Sequence, residues 1–191
     1  MTGGTAPAGA APGKHTARWV GLGVLAVAAG LVAVLATRPP AAVSEVQSPL
    51  VGKPAPPVAG TTVTGARYAP ARVPGRYTVV NFFASWCEPC RTEGPDLVRF
   101  QFEHQAAGDA SLVSVVFDDT VGAARAYQSE LGATWPTLDD PGGRLALSFG
   151  VRAPPSTFVI APDGRVVAYI VAPVSASDLD RIIADARAAH A

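Results

Sequence analysis

The apolar positions of this chain form one long unbroken run, several short continuous runs and a few helical stripes. The long run comes first. Residues 20–36 carry no charge, and Trp19 and Thr37 extend the stretch to nineteen residues. As a helix it would be about 28 Å long, close to the roughly 30 Å of a hydrocarbon core, so the pattern predicts a transmembrane helix over 19–37. Lys14 and Arg18 precede it, Trp19 suits the interface, and Arg38-Pro39-Pro40 is a sharp helix stop. The small charge bias places the N-terminus in the cytoplasm and the following domain outside. The rival is a cleaved signal peptide, because Val34-Leu35-Ala36 fits a small-residue cleavage site. The run exceeds the core of about 7–15 residues usual in signal peptides, which favours a retained anchor. No cysteine lies near its end, so attachment of lipid through cysteine is excluded.

Before the run, residues 1–18 are mostly Gly, Ala, Pro and Thr, the composition of a disordered tail. After it, residues 38–50 are rich in Pro, Ala and Ser and read as a linker. Residues 51–191 are enough for one core. Within them, 58–63 and 66–68 predict a hairpin around Thr64-Gly65, and 77–84 a buried strand. The stretch 89–106 predicts a helix with Leu97, Val98, Phe100 and Phe102 on its apolar side. A buried strand over 111–117, a helix over 121–131 and a short helix over 144–149 follow. Residues 157–160 and 165–170 flank Pro162-Asp163-Gly164 and predict an antiparallel hairpin. The last helix spans 177–190, capped by Ser175 or Ser177. The order βαβα then ββα implies an α/β fold with a mixed central sheet flanked by helices, which is a thioredoxin-like arrangement.

Composition sharpens this picture in two respects. The formal net charge is zero, whereas a nucleic-acid-binding domain would show a basic excess. An apolar fraction of 49% is high for a wholly water-soluble chain, in keeping with a membrane segment. Two lysines stand against thirteen arginines, and with the abundant Ala, Gly and Pro this bias points to a GC-rich bacterial coding sequence.

The chemistry is concentrated in Trp86-Cys87-Glu88-Pro89-Cys90, which holds both cysteines of the chain. A strand delivers the pair to the first turn of a helix, where unpaired N–H groups and the positive dipole end stabilise a thiolate. Cys87 is therefore the expected nucleophile, and Cys90, one turn further in and more buried, the resolving thiol. The redox group is the Cys87–Cys90 disulfide itself, with no further cofactor. A structural disulfide closing so short a loop would restrict the unfolded chain little. A zinc site would need two more ligands, and His15, His104 and His190 are scattered. Glu93 follows Cys90 by one turn, so it either faces the sulfurs as a proton shuttle or is a solvated first-turn acid. Glu88 carries the same ambiguity. Trp86 is a candidate shield and substrate contact, and Trp135-Pro136 a loop anchor. Asp118-Asp119 reads as a helix-start pair.

The stretch VVNFFASWCEPCRTEGP at 79–95 resembles the membrane-anchored thioredoxin-like proteins of the TlpA, ResA and CcmG/DsbE group. Val51-Gly52-Lys53-Pro54-Ala55-Pro56, Trp135-Pro136-Thr137-Leu138-Asp139 and Phe149-Gly150-Val151 leading to Pro155-Ser156-Thr157-Phe158-Val159-Ile160 continue the resemblance in family order. It implies a thioredoxin fold outside the cytoplasmic membrane of a bacterium, reduction of the haem-binding cysteines of apocytochrome c, and recharging by a membrane thiol transporter of the CcdA or DsbD kind. It assigns Pro155 as a cis-proline opposite the cysteines, with Pro154 offering backbone to substrate. It also raises Glu93 to a residue that tunes the thiols, and Asn81 stands where cytoplasmic thioredoxins carry a buried aspartate. Asp118-Asp119 and 145–158 are closer to CcmG/DsbE, although Ala153, Ser156 and Ala161 replace the Gly, Glu and acid usual there. These departures bear on client choice and leave the redox core intact. Beside the cytochrome reductase stand a general exported disulfide reductase or oxidant, and an escort that binds apocytochrome without turnover. A peroxiredoxin would need a peroxide-site pattern around Cys87, which is missing.

Overall fold

The computed structural model describes residues 14–36, 48–70 and 73–189. The chain divides into two units, residues 1–42 and 43–191. The first contains α1 (Lys14–Ala36), which covers most of the long apolar run, and residues 19–33 within it are exposed. Among the described residues no helix is long and apolar enough to cross a membrane. Residues 1–13 of the expected tail, 37–47 of the expected linker region and His190 lie outside the described residues.

The second unit begins with the short hairpin β1 (Gly60–Thr61) and β2 (Arg67–Tyr68), turned by Gly65 at φ +89°. Then follow β3 (Tyr77–Phe83), α2 (Glu88–Ala107), β4 (Ala110–Val116), α3 (Val121–Leu131), β5 (Thr137–Leu138) and α4 (Arg144–Phe149). The chain closes with β6 (Ser156–Ile160), β7 (Val166–Ile170) and α5 (Ala176–Ala189). The main sheet has the order β5-β4-β3-β6-β7, with β4 parallel to β3 and β5, and β6 antiparallel to β3 and β7. This is the mixed, helix-flanked sheet that the alternating runs predict. The strand β5 has no periodic signature in the sequence: two residues are too few to establish a period, and the strand exists because Thr137 and Leu138 pair with Ser114 and Val115.

Strand geometry sends alternate residues to opposite faces, and β3 shows the consequence. Tyr77 and Val79 pack with Leu97 and Phe100 of α2 and with Leu179, Ile182 and Ile183 of α5. Val80 and Phe82 face the other way, against Ala146 and Phe149 of α4 and Phe158 of β6. On α2 the apolar stripe is narrower than the sequence suggests. Phe102 is 79% exposed, because a residue two positions beyond Phe100 points to another side of the helix. His104, at the four-residue spacing from Phe100, packs against its ring in a tilted arrangement with centroids 4.2 Å apart. Ser175 caps α5 as proposed from the sequence, its hydroxyl accepting from the Asp178 N–H at 3.1 Å while Asp178 accepts from the Ser175 N–H.

His104 ties α2 to both neighbouring elements. Its Nδ1 lies 2.7 Å from Asp109 and its Nε2 2.9 Å from Asp180 of α5, while Arg187 also pairs with Asp109 at 2.7 Å. Burial pulls the imidazole pKa down, but the hydrogen bonds and charges of Asp180 and Asp109 outweigh it and hold the pKa above its ordinary value. A raised imidazole pKa adds stability below the unfolded value near 6.5, which is lost as pH rises through the folded value. Thermal melts of wild type and His104→Gln should therefore differ most near pH 6, and the gap should narrow towards pH 9.

Candidate active site

The site is made where β3 ends and α2 begins. Cys87 is the N-cap of α2, with extended backbone at φ −83° and ψ 105°, and its sulfur accepts a hydrogen bond from the Cys90 N–H at 3.2 Å. An N-cap side chain normally accepts from the second or third helical N–H. Here Pro89 occupies the second helical position and has no N–H, so the sulfur is served by Cys90 alone. Cys87 and Cys90 are disulfide-bonded, with Cα atoms 5.3 Å apart. Burial does not separate the two as the sequence suggests, since Cys87 is 4% and Cys90 2% exposed. Position separates them: only Cys87 stands at the end of the helix, where an ionised sulfur meets the positive dipole end.

Glu93 lies in the core, 2% exposed, so it is not a solvated first-turn acid. Its carboxylate accepts from Asn81 Nδ2 at 2.8 Å and from the Val174 N–H at 3.0 Å. Asn81 also donates to Thr157 Oγ1 at 3.1 Å, and the β3–β6 register sets Asn81 and Thr157 side by side. Burial raises the Glu93 pKa to about 7, against the opposing hydrogen bonds from Val174 and Asn81. The carboxyl therefore changes charge in the range where thiols exchange. Glu88 and Pro89 are exposed at the start of the helix.

Trp86 is 59% exposed at the edge of the site, and its indole N–H donates to the Asp118 carbonyl at 3.0 Å. Asp118 presents that carbonyl with φ +46°, a conformation aspartate tolerates better than most residues. Asp119 accepts from the Ser85 N–H at 2.7 Å, so the loop after β4 grips the residue next to Trp86. Asp118 and Asp119 thus hold the active-site loop, and Thr120 caps α3. The Pro154–Pro155 peptide is cis, with Pro155 buried. Ser156 follows it, pairing with Phe82 near the end of β3 and donating to the Ala153 carbonyl at 2.8 Å. Trp135 anchors its loop by donating to Ser114 Oγ at 2.8 Å. His104 lies at the far end of α2, and no group of metal-ligating side chains is present among the described residues.

A strand that delivers a Cys-x-x-Cys disulfide to a helix N-terminus, on a mixed sheet flanked by helices, defines a thioredoxin-like thiol–disulfide oxidoreductase. The chain belongs to the AhpC/TSA family, whose model matches residues 51–169. It is 37% identical over 135 residues to the thiol:disulfide interchange protein DsbE homolog of Paracoccus denitrificans, covering 69% of this chain and 72% of that one. It is 34% identical over 102 residues to the thiol:disulfide interchange protein HelX of Rhodobacter capsulatus, covering 53% of this chain and 55% of that one. The chain thus matches little more than half the length of HelX. Among solved structures, a thioredoxin-family thiol:disulfide interchange protein from Chlorobium tepidum superposes with a TM-score of 0.63 at 31% identity, covering 73% of this chain and 98% of that one.

The pKa of Glu93 gives a stability test. A carboxyl whose folded pKa is raised stabilises the fold below its unfolded value near 4.5 and loses that contribution as pH rises through about 7. A shift of this size corresponds to about 3 kcal/mol. Denaturant unfolding should show wild type losing stability between pH 5 and pH 8 by more than Glu93→Gln does.

Proposed function

We propose that this protein is a membrane-tethered thiol–disulfide reductase on the extracytoplasmic side of a bacterial membrane. The Cys87 thiolate attacks a client disulfide, one client sulfur leaves as a thiol, and a mixed disulfide links Cys87 to the client. Cys90 then attacks the Cys87 sulfur, releasing the second client thiol and leaving the Cys87–Cys90 disulfide. The client gains two electrons and two protons, and Cys87 and Cys90 lose them. The observation that carries this reading is the Cys87 sulfur at the N-cap position, served by the Cys90 N–H. Glu93 is assigned the proton traffic that accompanies the exchange, because its carboxyl titrates near 7.

The preferred clients are the haem-site cysteines of apocytochrome c. Their thiols must stay reduced for thioether formation in a compartment that tends to oxidise them. The relationship to the DsbE homolog and to HelX supports exported thiol proteins as clients. A membrane thiol transporter of the CcdA or DsbD kind would return two electrons to the disulfide. The uncharged run at 20–36 and its basic flank support an anchor with the thioredoxin-like domain outside. Trp86, Pro154 and Pro155 would contact the client beside the cysteines, with exposed Glu88 at the edge.

Cys90→Ser should trap a mixed disulfide through Cys87 in membranes, with an apocytochrome c recovered from it. Recovery of only unrelated exported proteins defeats the client assignment. Cys87→Ser should abolish turnover, whereas an escort would keep its function. The Cys87–Cys90 potential should be strongly reducing, and a value near about −120 mV would mark an oxidant instead.

A further inference from the structure

The disulfide sits in a buried cluster with Val63, Phe83, Ala84, Val116, Ala124 and Tyr127. Tyr127 brings a hydroxyl to that cluster. Its phenol donates to the Cys90 carbonyl at 3.0 Å. That carbonyl already has a ladder donor in the Gly94 N–H four residues on, so the phenol is an added contact. Burial raises the Tyr127 pKa, which keeps the hydroxyl protonated and a donor. Its ring has two close neighbours: Phe83 lies 5.6 Å away between centroids, and the Arg91 guanidinium sits 5.0 Å over the ring while pairing with Glu130 at 2.9 Å.

Two features of α2 make this contact consequential. Pro95 removes the N–H that the Arg91 carbonyl would accept, so the helix is under-bonded just beyond the cysteines. Gly94 lets α3 approach: a Cβ there would stand 2.8 Å from the Tyr127 hydroxyl oxygen and 2.8 Å from Leu131 Cδ1. We propose that Tyr127 is a positioning residue for the exchange reaction, admitted by Gly94, whose phenol fixes the Cys90 turn so that the Cys90 N–H stays aimed at the Cys87 sulfur. Cys90 is then held at both its backbone groups, N–H on sulfur and C=O on phenol. The inference rests on the redox reading of the site and adds α3 to its machinery.

The test uses the reduced full chain in detergent, comparing wild type, Tyr127→Phe, Gly94→Ala and the double variant. The readouts are the pH midpoint of Cys87 alkylation and the equilibrium with glutathione. A neutral hydrogen bond is worth about two- to twelve-fold in an equilibrium constant, and an effect transmitted through the Cys90 turn takes the lower part of that range, about two- to five-fold. Tyr127→Phe should raise the alkylation midpoint by about 0.3–0.7 pH unit and shift the potential about 10–20 mV towards reducing, at 29.6 mV per tenfold. Gly94→Ala should move both readouts the same way, and the double variant should go no further than Tyr127→Phe. A Tyr127→Phe protein with both readouts unmoved, or moved in the opposite sense, overturns the proposal, whatever its melting temperature. If Tyr127→Phe does not fold, an unmoved midpoint in Gly94→Ala overturns it equally. Wild-type Cys87 that neither titrates nor exchanges would instead bring down the reductase reading itself.

Discussion

A single N–H directed at a single sulfur organises this site. Because Cys87 takes the N-cap position and Pro89 the second helical position, the Cys90 N–H is the donor left for the sulfur. The Cys87 carbonyl at the same time accepts from the Arg91 N–H at 3.1 Å, so the residue that starts the helix also carries the reactive atom. Moving the nucleophile would require fraying the helix. The rest of the domain can be understood as fixing that helix end: β3 delivers it, the loop after β4 holds Ser85 and Trp86, and α3 meets Cys90 from the side.

Behind the cysteines, the β3–β6 register does a second job. Pairing Asn81 with Thr157 places an amide and a hydroxyl together under α2, and the amide turns Glu93 into a hydrogen-bonded core residue. A buried acid is expensive to ionise, and here the two donors that offset part of the cost come from different places in the sequence. One is the central strand, the other the loop before α5. The start of α5 is held in turn by Asp96, which accepts from the Ala176 N–H at 3.2 Å. Glu93 and Asp96, about one turn apart on α2, thus hold the loop and the helix it leads into.

Much of this organisation is legible in the linear sequence. Helices over 121–131 and 144–149 are bounded by turn residues, and the hairpin at Pro162-Asp163-Gly164 follows from turn chemistry that needs no tertiary information. The cysteine pair at the start of a helix is visible because Pro89 and the preceding apolar run are local signals. What the sequence misses depends on neighbours distant along the chain. Phe102 is the exception, a local misreading: its spacing of two from buried Phe100 turns it to solvent. Asp119 looks like a helix-start acid, yet its partner is Ser85, 34 residues earlier. Tyr127 and Gly94 carry no local sign of their meeting, which follows from how closely α3 approaches α2. Glu93 is ambiguous for the same reason: helical spacing gives its turn, while the sheet and the loop before α5 give its burial.

The donor from Val174 comes 81 residues after Glu93 in the chain. A polypeptide that emerges N-terminus first therefore releases its cysteines long before the closing helix can complete the acid's surroundings. In such a nascent chain Glu93 is hydrated and ionises as an ordinary carboxylate, and Cys87 has yet to gain its folded neighbours. The buried, hydrogen-bonded state of this acid is thus a property of the finished polypeptide, reached only when synthesis and folding have ended.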